Sequence, residues 1–180
     1  MGLSRLQRTG YSRPQPAVQL RGRMHPIAVI EGDARRDAGS RGVLMAVGVT
    51  VGSITDELGA PSFVHSFFST ISAHCEPTGW GRCFPHLMNE LYQGRLPHAH
   101  ALLALAELQQ AKATLSKLPP ACVVWDIENR QSKPPWGDNI ASQITSLGNY
   151  FVSSTGGDVF QILEEALAAS AEEKQDAVLQ

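Results

Sequence analysis

The sequence predicts an α+β fold: a small sheet of three or more strands packed in two layers against about four helices. Three observations carry this. "AVGVTVG" at residues 46–52 alternates valine with small or polar residues, the period of a strand with one bulky face. Residues 61–75, 96–120 and 155–170 repeat apolar side chains three and four apart, the period of a helix with one buried stripe. The two patterns are interspersed, so the sheet must bury a face against helices. Hydrophobic residues make up 43% of the chain, which is enough for a packed core. No apolar run approaches the roughly 18 residues of a membrane helix.

The elements follow in order. After the first strand, "ELGAP" reads as a break. "PSFVHSFFSTISAHC" then places Phe63, Phe67 and Ile71 four apart, with Ser62, Ser66 and Ser69 elsewhere on the wheel and Pro61 in the first turn. "EPTGWGRC" is a loop. "FPHLMNELYQG" is a short helix stopped at Gly94. In the next helix Ala101, Leu105, Leu108, Ala111, Leu115 and Leu118 form a stripe that ends at Pro119 and Pro120. "ACVVWDIE" reads as a second strand, "NRQSKPPWGDN" as a loop and "NYFVSS" as a third strand. The last helix is "TGGDVFQILEEALAAS", with Asp158 as its cap and Gln161 placed for a capping box. Residues 45–170 are thus expected to form a single α+β domain, and residues 171–180 to fray.

Charge divides the chain. Residues 1–44 hold eight arginines, no lysine and three acids, whereas residues 45–180 hold seven basic and fourteen acidic residues. The acidic body favours a basic partner through electrostatic steering. Residues 1–44 show no hydrophobic period and read as a disordered basic extension. Three origins compete: a nucleic-acid-binding arm, an organelle transit segment, or a mis-set start with Met45 the true first residue. Three unevenly spaced cysteines do not make a disulfide framework, which fits a cytoplasmic protein.

Candidate chemistry is sparse. His74, Cys75, Cys83 and His86 are zinc-type ligands, but adjacent His-Cys is poor spacing and no C-x-x-C pair accompanies it. Cys75 or Cys83 with His65, His74 or His86 has no local signature of a nucleophile and its base. In a strand, Asp126 and Glu128 would share one face, an arrangement that can hold a divalent cation or do acid–base work. The plainer reading puts both acids at the exposed end of a strand. Phosphate-binding, dinucleotide, zincin and nucleophile-elbow motifs are absent. Trp80 and Trp136 sit in loops, each followed by glycine, either plugging the core or anchoring a partner.

Four blocks, "MAVGVTVGSI", "GWGRCFPHLMNELYQGRL", "PPACVVWDIEN" and "PPWGDNIASQITSLGNYFVSSTGGDVFQILEEAL", resemble in the same order the bacterial immunity protein 70 family of polymorphic toxin systems. The resemblance covers about residues 45–168. It implies a small cytoplasmic α+β protein that is no enzyme and needs no cofactor. Such a protein binds a cognate toxin domain, for example a basic nuclease whose groove it covers. Neither a membrane nor, for the folded part, a nucleic acid is an expected partner. The resemblance brings no catalytic residues and no metal ligands. Contact candidates read from the residues are Trp80, Asp126, Glu128, Trp136 and Asp138. Two alternatives stand beside it: a small metal-dependent hydrolase using Asp126, Glu128 and a histidine, and a basic-tailed nucleic-acid-binding protein.

Overall fold

The alternating valines form strand β1, Val47–Val51, with Val47, Val49 and Val51 buried. A computed structural model describes residues 46–180; the basic extension and Met45 lie outside the described residues. The predicted break after β1 is instead a hairpin into β2, Ile54–Gly59. Gly52, with φ of 58°, opens its two-residue turn, and Val51 pairs with Ile54. Positive φ at this position matches the twist that hairpin turns need. Residues 54–57 are all exposed on this edge strand. A polar, charged edge resists pairing with other chains, and it is also why the stretch reads as a loop.

Helix α1, Pro61–Cys75, buries Val64, Phe67, Phe68 and Ile71. A π-helical turn, Leu87–Leu91, buries Leu87, Met88 and Leu91 where a short helix is predicted. Strand β3, Arg95–Leu96, follows, and a 3-10 turn, His98–His100, leads into α2, Ala101–Leu115. The buried stripe of α2 is Ala101, Ala104, Leu108, Ala111 and Leu115, and Leu105 is only half-buried. Helix α3, Val159–Glu173, begins with Asp158 accepting the Phe160 N–H at 2.9 Å. The capping box does not form, because the Gln161 amide turns outward to Glu165.

The end expected to fray is a strand. Lys174 adopts the left-handed conformation at φ 55°, which stops α3 and reverses the chain. Strand β4, Ala177–Leu179, then enters between β1 and β3, giving the all-antiparallel order β2-β1-β4-β3. Ala177 and Leu179 join the inward face of β1 in the core. Asp176 fixes the entry to β4. It accepts the His98 N–H at 2.9 Å, lies 3.0 Å from His98 Nδ1 and pairs with Arg95 at 2.7 Å. These donors, the His98 backbone first, hold its carboxyl well below the usual carboxylate range.

Neither of the other predicted strands is in the sheet. Residues 121–128 begin in a 3-10 turn, Pro120–Cys122, and continue as an irregular strap against α1. The strap's polar backbone is met by the side chains of α1 rather than by a strand. Thr70 Oγ1 accepts the Val124 N–H and donates to the Val124 carbonyl, both at 3.1 Å. Ser69 Oγ accepts the Ile127 N–H at 3.2 Å, and His74 Nε2 lies 2.8 Å from the Cys122 carbonyl oxygen. This is why Ser69, which the sequence places off the apolar stripe, and its neighbour Thr70 are fully buried: buried backbone groups need partners, and here hydroxyls supply them. Residues 149–154 make only an isolated bridge between Val152 and Asp158, although Tyr150 and Phe151 are core residues. The α+β class and the four-stranded sheet with its helices agree with the sequence reading; the membership of the sheet does not.

Candidate partner-binding surface

The strap and the loop after it carry most of the predicted contact residues. Pro134 and Pro135 deliver Trp136 beside the N-terminal end of α1, where it stays 38% exposed. Its indole N–H donates to Tyr150 Oη at 3.0 Å, and its ring meets Trp125 edge-on at 5.2 Å and Phe63 at 6.3 Å. The indole is therefore held in one pose with much of its ring in solvent. Beside it Phe63, Ile140, Ile144, Tyr150 and Val152 line a shallow hollow of about 220 Å³. Asp138 is exposed two residues beyond Trp136.

Asp126 and Glu128 do not act as a pair. Asp126 Oδ1 accepts the Glu128 N–H at 2.8 Å, closing a turn of its own backbone, and Glu128 is exposed. His65 Nε2 lies 3.5 Å from the same oxygen, and His65 Nδ1 lies 2.8 Å from Tyr92 Oη. Partial burial pushes the Asp126 carboxyl up, but the N–H groups of Glu128 and Asn129 and the His65 contact outweigh it, so its pKa is lowered. A carboxylate depressed in the folded state contributes stability above its unfolded pKa of about 3.9, and that contribution is lost as pH falls through the lower folded value. Asp126→Asn should therefore lower the urea midpoint at pH 6, with the gap to the unmodified protein closing below about pH 4. A gap that persists at pH 2 would contradict this.

Trp80 stands apart from that loop. Its ring meets Tyr92 edge-on at 5.0 Å and its N–H donates to the Met88 carbonyl at 3.1 Å, so both its apolar and polar parts serve the core. The loop bearing it is pinned by Glu76, a residue with no sequence signal. Its buried carboxylate accepts the N–H groups of Arg82, Cys83 and Phe84 at 2.7, 3.0 and 2.7 Å.

The cysteine and histidine sets that the sequence offers without a supporting signature are not assembled among the described residues. His74 binds the strap, Cys83 is exposed, and burial pushes the Cys75 thiol up to about 11, which keeps it protonated at neutral pH. Among the described residues Asp126 and Glu128 meet no third ligand that would make a metal group. No helix among the described residues is long and apolar enough to cross a membrane.

The sequence matches the immunity protein 70 family over residues 49–179. The chain belongs to that family. The match takes in β2, β3 and β4, the helices and the strap, and enters β1 at Val49. It also extends past residue 168, where the resemblance of the four blocks ends, to residue 179. No curated protein and no solved structure matches the chain.

Proposed function

We propose that this immunity protein binds and neutralises a cognate toxin of a bacterial polymorphic toxin system, protecting the cell that makes both. Membership of the immunity protein 70 family carries the reading. The mode is binding rather than catalysis, with a toxin domain as the partner. The surface centred on Trp136 supports it: a tryptophan fixed on three sides and open on the fourth resembles the aromatic anchors that dominate interface energies. Asp126, Glu128 and Asp138 outnumber Arg130 and Lys133 along this stretch, and the folded part carries fourteen acidic against seven basic residues. A basic toxin, such as a nuclease, fits that charge and would associate faster at low salt. Trp80, engaged by the core, takes a secondary place in the contact.

The test is co-expression with the product of the adjacent toxin gene. Growth should be restored and the two proteins should co-purify. Trp136→Ala should weaken the complex by at least about tenfold, the loss expected of an interface anchor, in a protein that near-ultraviolet circular dichroism shows to be still folded. Toxicity that persists, with no complex isolated, would refute the proposed function. Full affinity in Trp136→Ala would move the contact elsewhere on the protein.

A further inference from the structure

A second cluster lies away from the Trp136 hollow and takes no part in the proposed toxin contact. His86 stands immediately before the π-turn, Glu90 lies within it, and His100 ends the 3-10 turn that leads into α2. His86 Nδ1 is 3.3 Å from Glu90 Oε1, and His100 Nδ1 is 2.9 Å from Glu90 Oε2. The two imidazole rings are 4.7 Å apart, and one ligand atom from each of the three residues falls within 4.8 Å of the others. Their side chains are 20%, 29% and 41% exposed for His86, Glu90 and His100, open to a small ion without being fully solvated.

The backbone around the cluster is fixed. Glu107 on α2 accepts the N–H groups of His86 and Leu87 at 3.4 and 2.9 Å. Leu87, Met88 and Leu91 anchor the π-turn in the core, and its wide i→i+5 closure runs from the Tyr92 N–H to the Leu87 carbonyl at 3.0 Å. The His100 N–H is held by the Pro97 carbonyl at 2.9 Å. Single π-turns are rare and recur at functional sites. Here the turn places Glu90 between two histidines that come from different elements.

We propose that His86, Glu90 and His100 form a binding site for a divalent transition-metal ion of the zinc class. Two imidazole nitrogens and one carboxylate oxygen suit such an ion, and three protein ligands leave a fourth position for water or an incoming side chain. In the metal-free protein the two Nδ1 atoms hydrogen-bond to the shared carboxylate. In a neutral ring that donor is Nδ1–H; on binding, the ion takes the place of the Nδ1 proton and the ring takes up a proton at Nε2, so each ligating imidazole is again neutral.

The experiment titrates the full-length, tag-free protein with zinc chloride by calorimetry and measures bound metal after equilibrium dialysis. One zinc ion per chain is expected. His86→Gln and His100→Gln should each lower the affinity at least about tenfold, since even residues behind a metal ligand cost that much. Glu90→Gln removes the carboxylate charge and leaves one acceptor oxygen, so it too should lower the affinity at least about tenfold. Near-ultraviolet circular dichroism checks that each variant is folded. Cobalt substitution should give visible bands without thiolate charge transfer, and Cys83→Ser should leave binding intact. Absence of saturable binding would overturn the proposal. So would binding that survives in the folded double variant His86→Gln/His100→Gln, or that disappears with Cys83→Ser.

Discussion

Deleting residues 177–180 should abolish the folded state. These residues supply β4, an interior strand of the sheet, which pairs with β1 on one side and β3 on the other. Ladder and flanking bonds go with it: Gly48 N–H to the Gln180 carbonyl at 2.7 Å, Gln180 N–H to the Gly48 carbonyl at 3.0 Å, and Leu179 N–H to the Gly94 carbonyl at 3.0 Å. Leu179 is 3% exposed and Ala177 is fully buried. Losing a buried leucine side chain alone costs about 2–5 kcal/mol, and each backbone bond adds about 1 kcal/mol. The sum is comparable to the whole stability of a domain, about 5–15 kcal/mol. The deletion protein should show no cooperative thermal transition and no native near-ultraviolet circular dichroism. Leu179→Ala should remain folded and be destabilised by about 2–4 kcal/mol. A truncated protein that melts within a few degrees of the full chain would mean that β4 is dispensable.

Glu76→Ala should be among the most damaging single substitutions outside the apolar core. The carboxylate is 5% exposed at the C-terminal end of α1, an end where the helix dipole disfavours a negative charge. Three backbone N–H groups of residues 82–84 compensate, and they are left without their acceptor when it is removed. Stranding buried donors of this kind costs about 1–3 kcal/mol each where water cannot reach them. The Phe84 bond is buried and the other two are partly so, which places the total near 3 kcal/mol. At about 2–4 °C per kcal/mol for a chain of this size, the midpoint should fall by roughly 6–12 °C. Glu76→Gln retains one acceptor oxygen but turns an NH₂ group toward donors, so it should recover only part of the loss. Limited proteolysis should cut both variants first at residues 77–83. A midpoint shift under about 2 °C would contradict the role assigned to the carboxylate.

Elements whose partners lie within a few residues were legible before any coordinates. Helices α1, α2 and α3 lie where their spacing marks them and bury most of each stripe; Phe63, Leu105 and Leu118 are half-buried, and Ala104 takes the place of Leu105 in α2. The cap at Asp158 and the valines of β1 also followed directly, because helix caps and side-chain alternation are local properties. Trp136 and Asp138 are both exposed in their proline-braced loop.

Strand membership was a different matter. "VVWDI" and "NYFVSS" have the composition of strands and pack much as strands would, yet the hydroxyls of α1 and a single bridge satisfy their backbones. "ITDELG" and "AVL" have weaker composition and are in the sheet, because β1 offers them a ladder on each of its edges. β-propensity measures fit to a half-buried surface and does not identify the strand across from it. Residues 126 positions apart had to meet before Val51 could pair with Ala177 and the sheet could close around β4. The same holds for the clusters. His65 with Asp126, Glu76 with residues 82–84, and Glu90 between His86 and His100 carry no motif, since each depends on a turn geometry or a helix approach that no short window of sequence encodes. Local periodicity was sufficient for the fold class and the helices, and the four blocks for the family resemblance; pairing across the chain settled which segments form the sheet and which side chains stand together.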